Sequence, residues 1–184
     1  MHPGEQWQDY DYNGERRGAI DSDHPDAHPT HLFGGTAIML YRYQDGQVEF
    51  LFQHRSSLVD RNPDKWDVSA GGHVNFEEPL LTAAAREAQE EIGAELDPSH
   101  LEFSAAYVRR HKALVHLFFY DWTGNEDHFH FDDHEVSEVK WVPFDDLVAF
   151  WPELKSSVQD DAIFQALLLE QTRTILDKYG NIDK

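Results

Sequence analysis

Apolar positions along this chain follow two rhythms. Short blocks dense in aliphatic and aromatic residues are bounded by turn residues, and two longer stretches carry apolar residues at helical spacing. Residues 34–43 (Gly-Gly-Thr-Ala-Ile-Met-Leu-Tyr-Arg-Tyr) and 48–54 (Val-Glu-Phe-Leu-Phe-Gln-His) read as strands on either side of a Gln44-Asp45-Gly46 turn. Residues 66–70 form a short strand, after a polar loop whose turn is Asn62-Pro63-Asp64. Residues 101–111 and 113–122 read as a strand pair, and 136–142 as a further strand.

The first helical stretch starts at Glu78-Pro79, because proline is tolerated where the N–H has no helical partner. It stops at Gly93, which takes a left-handed cap at little cost. Leu81, Ala84, Ala85, Ala88 and Ile92 form its apolar stripe. Pro143 to Leu147 opens a short helix. Residues 160–179 predict a longer one with Ile163, Phe164, Leu167, Leu168, Ile175 and Leu176 inward and Gly180 at its end. Strands flanked by two sizeable helices imply an α/β/α sandwich with a mixed sheet. Residues 1–30 are polar and read as an irregular arm with a short strand near Trp7 to Tyr12; residues 31–184 read as one domain ending in a C-terminal helix.

Composition narrows the chemistry. With 184 residues, 40% of them apolar, the chain suits one globular domain. It has no cysteine, which excludes disulfides, Cys-ligated zinc and a cysteine nucleophile. No apolar run reaches membrane-spanning length, and the first residues lack the pattern of a signal peptide, so a cytoplasmic location is expected. The formal charge of −20 opposes binding to nucleic acid or an anionic membrane, but it leaves small anionic substrates open where cations reverse the local field.

The candidate chemistry sits on the first helix. Glu87, Glu90 and Glu91 occupy relative positions i, i+3 and i+4, hence one helical face. Three carboxylates there repel one another. A hard divalent cation relieves that repulsion and keeps coordination positions open for a phosphate substrate. Arg86, four residues before Glu90, can hold that carboxylate in place. An acidic helix face of purely solvated character is the alternative.

Gly72, Glu78, Arg86, Glu87, Glu90, Glu91 and Gly93 fit every fixed position of Gly-x5-Glu-x7-Arg-Glu-U-x-Glu-Glu-x-Gly-U. This pattern resembles the box of the Nudix hydrolases. Ala88 and Ala94 stand where that box prefers bulkier aliphatics. The resemblance extends to Tyr10-Asp11, Gly14 and Arg17-Gly18, to Gln53-His54-Arg55-Ser56, to residues 66–74, and to residues 135–143. These flanking segments look like the Nudix branch related to isopentenyl-diphosphate isomerase. That isomerase uses a cysteine, and Ala70 or Gly71 stands near the place where it would be expected.

The resemblance implies a Nudix-type α/β/α sandwich and a metal-dependent pyrophosphohydrolase cleaving a nucleoside diphosphate-X or related small diphosphate. Mg²⁺ or Mn²⁺ would be held by Glu87, Glu90 and Glu91, with Arg86 structural and a homodimer possible. Glu87 is the candidate base, and His73 and Glu135 are candidate extra ligands or bases. Glu78 is a helix-start carboxylate or an outer ligand. Arg55, Lys65, Arg109, Arg110 and Lys112 are candidate phosphate donors, Arg55 and Lys65 foremost; strand alternation lets only one of Arg109 and Arg110 face the site. The alternatives are an isomerase-like enzyme and a non-catalytic nucleotide sensor. The loop around His128, His130 and His134 reads as an acidic surface segment, with a zinc or nickel site as its other reading.

Overall fold

Strand β3 (Leu32–Gln44) is the axis of the fold. A computed structural model describes residues 5–23, 31–109, 112–132 and 134–180. β3 runs antiparallel to β4 (Gln47–Arg55) at one end and to β1 (Gln6–Tyr10) at the other, and parallel to β7 (Ala113–Asp121) along most of its length. β2 (Arg16–Asp21) pairs with β1, β5 (Trp66–Asp67) and β8 (Val136–Pro143) with β4, and β6 (Glu102–Arg109) with β7. The result is a curled mixed sheet of eight strands among the described residues. Asp45 and Gly46 both have positive φ, 51° and 82°, as a two-residue hairpin of this twist requires.

Helices cover both faces, so Ile38, Met39, Leu40 and Tyr41 are all buried and the strand reads as a continuous apolar run. On one face Ile38, Leu40 and Leu51 pack with Ala84, Ala88 and Ile92 of α1 (Leu80–Ile92). Full burial of a side chain such as Ile92 contributes roughly 2–3 kcal/mol. On the other face Met39, Phe50 and Phe52 pack with Phe164, Leu168 and Ile175 of α4 (Ala162–Tyr179). Two short helices, α2 (Leu147–Phe150) and α3 (Ser156–Gln159), lie between β8 and α4.

Three expectations are revised. Over residues 6–21 the arm is a β-hairpin added to the sheet, turned tightly at Gly14 (φ 80°). The Asp11 carboxylate accepts the Asn13 and Glu15 N–H groups and pairs with Arg17, which accounts for the chemistry of that segment. In α1, Leu81 is 40% exposed, while Ala83 and Leu80 pack inward. In α4, Ile163 and Leu176 are exposed, and the inner row is Phe164, Leu168, Thr172 and Ile175. Each helix is rotated slightly from the phase that its apolar residues alone suggest.

Candidate active site

β3 and β4 part beyond their hairpin, and residues 66–75 fill the gap. The Ile38 and Thr36 N–H groups donate to the carbonyls of Ala70 and Gly72 at 2.8 Å, and Val74 N–H donates to Gly34 at 3.0 Å. Two glycines of this insertion are closely covered. A Cβ on Gly71 would lie 2.6 Å from the Thr36 carbonyl oxygen, and one on Gly72 would lie 2.3 Å from the Glu87 carboxylate. Glu87 therefore rests directly over the Gly72 backbone. At the other end of α1, Gly93 (φ 66°) closes the helix with its N–H on the Ala88 and Gln89 carbonyls.

Arg86 organises the carboxylates. Its Nη1 donates to Glu87 and to Glu90, both at 2.9 Å, so the i, i+4 pair with Glu90 is present. Its Nε and Nη2 also make a two-pronged pair with Glu78 at 2.9 and 3.0 Å, and Nη2 donates to the His73 carbonyl at 3.0 Å. Glu78 is thus a partner of Arg86, and it accepts the Asn75 N–H at 3.0 Å as well. Burial pushes the Glu78 pKa up, but its bonds to Arg86 and Asn75 hold it below the ordinary value. Burial opposes the Arg86 charge, and the surrounding carboxylates keep its pKa above the ordinary value.

Glu91 lies deeper than its neighbours and is 7% exposed. One oxygen accepts from Gly71 N–H at 2.8 Å and from Gln53 Nε2 at 3.0 Å. Burial, and then the charge of Glu87, push its pKa up to about 8 against those two bonds. Burial likewise pushes Glu87 up to about 7, against the opposing charge of Arg86. The Glu90 side chain is 55% exposed and turned toward Arg86. Among the described residues, no group of three or more His, Asp and Glu side chains is drawn together as a preformed ion site.

The donor set nonetheless fits a hard divalent cation. Glu91 is buried and Glu87 partly buried, and burial raises the pKa of both, so a hard cation would offset the cost of their ionised forms. Beside them, Gln53 Oε1 is a buried acceptor with no hydrogen-bond partner among the described residues.

The remaining candidates are dispersed. The His73 ring stacks flat on Trp7, with centroids 3.7 Å apart and planes 1° apart, and lies 5.5 Å from Phe33. Burial, with the charges of Arg61 and Arg86, pushes its pKa down to about 4. Arg55 follows Gln53 by two residues on β4, and its Nε donates to the Arg61 carbonyl at 3.1 Å. Lys65 is exposed, and its carbonyl accepts the Arg55 N–H at 2.9 Å. The Glu135 carbonyl accepts the Ser56 N–H at 2.8 Å, bringing its backbone to the rim beside Arg55.

Arg109 is engaged elsewhere, with Asp161 at 2.9 Å and the Tyr107 hydroxyl at 3.2 Å. Arg110 lies outside the described residues. In the histidine-bearing loop, Asp127 accepts from the Trp122 and Trp141 indoles and from Arg42, and the His130 ring rests against Gly93. Sequence reasoning did not single out Gln53 as the partner of Glu91. The available signal was a lone amide in the apolar run Phe50-Leu51-Phe52.

The NUDIX domain model matches residues 33–166. The chain belongs to the Nudix family. It is 32% identical over 105 residues to the uncharacterized Nudix hydrolase YfcD of Escherichia coli strain K12, a match covering 57% of each protein. The chain thus spans little more than half of that relative. DR0079 of Deinococcus radiodurans shares the fold with a TM-score of 0.67 at 20% identity, covering 85% of this chain and 96% of that one. The NUDIX domain of NrtR from Shewanella oneidensis, solved with ADP ribose, has a TM-score of 0.56 at 20% identity, covering 85% and 94%. At such identities the likeness is one of fold.

In this Nudix chain, Arg86 links Glu78, Glu87 and Glu90, Gly72 lies under Glu87, and Glu91 is bound separately by Gly71 and Gln53. Nudix hydrolases act on pyrophosphate bonds, and members of the family generally use divalent metal ions.

Proposed function

We propose that this Nudix protein is a Mg²⁺- or Mn²⁺-dependent pyrophosphohydrolase acting on a nucleoside diphosphate-X or related small diphosphate. The observation that carries the reading is the carboxylate face of α1: Glu87 lies over the Gly72 backbone, Arg86 bonds Glu87 and exposed Glu90, and buried Glu91 is bound by Gly71 and Gln53. Glu87, Glu90 and Glu91 would hold the metal, and Arg86 would orient Glu87 and Glu90. When bound, the cation supplies charge neutralisation at the phosphate oxygens and lowers the pKa of a water.

Hydrolysis breaks one P–O bond of the diphosphate. A water oxygen forms the new bond to phosphorus, and its proton must pass to a base. Glu87 is the first candidate for that base. Glu135, at the rim, is the second candidate. Arg55 lies two positions along β4 from Gln53, which touches Glu91, so it is the first candidate for the substrate phosphates; exposed Lys65 is the second. The ADP ribose bound to the NrtR domain puts a nucleoside diphosphate-sugar at the head of the compounds to test.

The test is product release from a panel of X-linked diphosphates with Mg²⁺ or Mn²⁺, with wild type beside Glu90→Gln and Glu91→Gln. Metal-dependent cleavage lost in both variants supports the reading and names the substrate class. Cleavage that survives both substitutions, or tight binding with no product, overturns it.

A further inference from the structure

The loop carrying Glu78 is held from outside by the N-terminal hairpin, which lies outside the stretch matched by the family model. Gln8 is 2% exposed and sits at the junction. Its N–H donates to the Val74 carbonyl at 2.7 Å, its side-chain amide donates to the Gly18 carbonyl at 3.0 Å, and its Oε1 accepts the Glu77 N–H at 3.1 Å. Glu77 has φ of 65°, a left-handed conformation that costs energy for a residue with a Cβ. Phe76 N–H donates to Gln6 at 2.9 Å, and Arg16 Nη2 donates to the Glu78 carbonyl at 2.8 Å. The next residue contact inward is Glu78 to Arg86, and then Arg86 to Glu87 and Glu90.

We propose that Gln8 and Arg16 are positioning residues of the carboxylate site, with the β1–β2 hairpin acting as a clamp that fixes Glu78 and, through it, the Arg86 guanidinium. What the clamped site does rests on the hydrolase reading above; the clamp itself rests on these bonds. A loop with a left-handed non-glycine residue keeps one conformation only where its surroundings over-determine it. Gln8 and Arg16 provide that restraint on either side of Glu77. Residues that orient metal-holding groups without touching the ion characteristically change affinity by roughly 10- to 100-fold when removed.

The experiment compares Arg16→Ala, Arg16→Lys and Gln8→Met with the wild-type chain. It follows Mn²⁺ binding by the loss of the free-ion EPR signal, kcat and KM on a cleaved substrate, thermal midpoints, and the Arg86 Nε–H NMR resonance in metal-free protein. The expected result is roughly 10-fold weaker Mn²⁺ binding in Arg16→Ala and Gln8→Met, with a fall in kcat and little change in KM. Arg16→Lys, which keeps a donor, should recover most of the loss. The Arg86 Nε–H signal should exchange faster in both weakened variants.

Lower thermal midpoints with unchanged Mn²⁺ affinity and an unchanged Arg86 signal would reduce the hairpin to a purely structural element and overturn the proposal. If Gln8→Met does not fold, Arg16→Ala carries the test, because Arg16 is exposed. If wild type binds no Mn²⁺, the hydrolase reading fails separately. The Arg86 resonance then decides alone: faster exchange in Arg16→Ala upholds the clamp, and no change overturns it.

Discussion

Arg86 and Glu78 are joined by two nearly equal hydrogen bonds, 2.9 Å from Nε and 3.0 Å from Nη2, across the turn into α1. The fork of the guanidinium matches the carboxylate, and lysine cannot reproduce it. Arg86→Lys should therefore lower kcat by roughly 10- to 100-fold, because Glu87 and Glu90 lose a fixed partner. Arg86→Ala should also cost about 2–3 kcal/mol in urea unfolding, since it strands partly buried Glu78 without its cation. A variant with wild-type kcat would remove Arg86 from the organisation of the site.

Gly72→Ala tests the contact between box loop and helix. The added methyl would sit 2.3 Å from the Glu87 carboxylate, the far end of a flexible side chain. The side chain can swing away, so the thermal midpoint should move by only a few degrees, for a cost of about 1 kcal/mol. The displaced carboxylate should lower kcat by at least about 10-fold. Circular dichroism alongside the rate separates the two effects.

Glu91→Gln should separate stability from activity. The carboxylate is buried, and its ionised form is disfavoured there. In metal-free protein at pH 8 the amide should leave stability equal or higher, while metal-dependent turnover falls by roughly 100-fold or more. A strongly destabilised variant that keeps turnover would contradict both halves.

His73 sets an acid limit on stability. Its folded pKa, about 4, lies below the ordinary value of 6.5, so the fold favours the neutral ring. The contribution is fully present above pH 6.5 and is lost as pH falls through about 4. A shift of this size corresponds to about 3 kcal/mol. His73→Phe keeps the stack on Trp7 and removes the titration, so its urea midpoint should change less between pH 7 and pH 4.5 than that of wild type. Parallel curves for the two proteins would exclude His73 as the source.

Much of this molecule was legible in local pattern. The Asp45-Gly46 turn, the strand pairs and the limits of α1 follow from turn chemistry, apolar blocks and a helix stop, all of which act over a few residues. The i, i+3, i+4 spacing likewise fixes Glu87, Glu90 and Glu91 on adjoining parts of one helix, whatever the rest of the chain does.

Tertiary structure decided the environments of those carboxylates. Gln53 reaches Glu91 across 38 positions, and Glu78 meets Arg86 only because residues 73–79 double back over the helix. The hairpin at residues 6–21 reads as a polar arm because its turn and most of β2 face solvent; Trp7 to Tyr10 of β1 are buried only because backbone bonds to β3 and the box loop bring them there, which composition does not encode. Spacing along a helix is a local property of the backbone. Which carboxylate is buried, which is paired and which is left exposed depends on segments far apart in the chain meeting in the gap between β3 and β4.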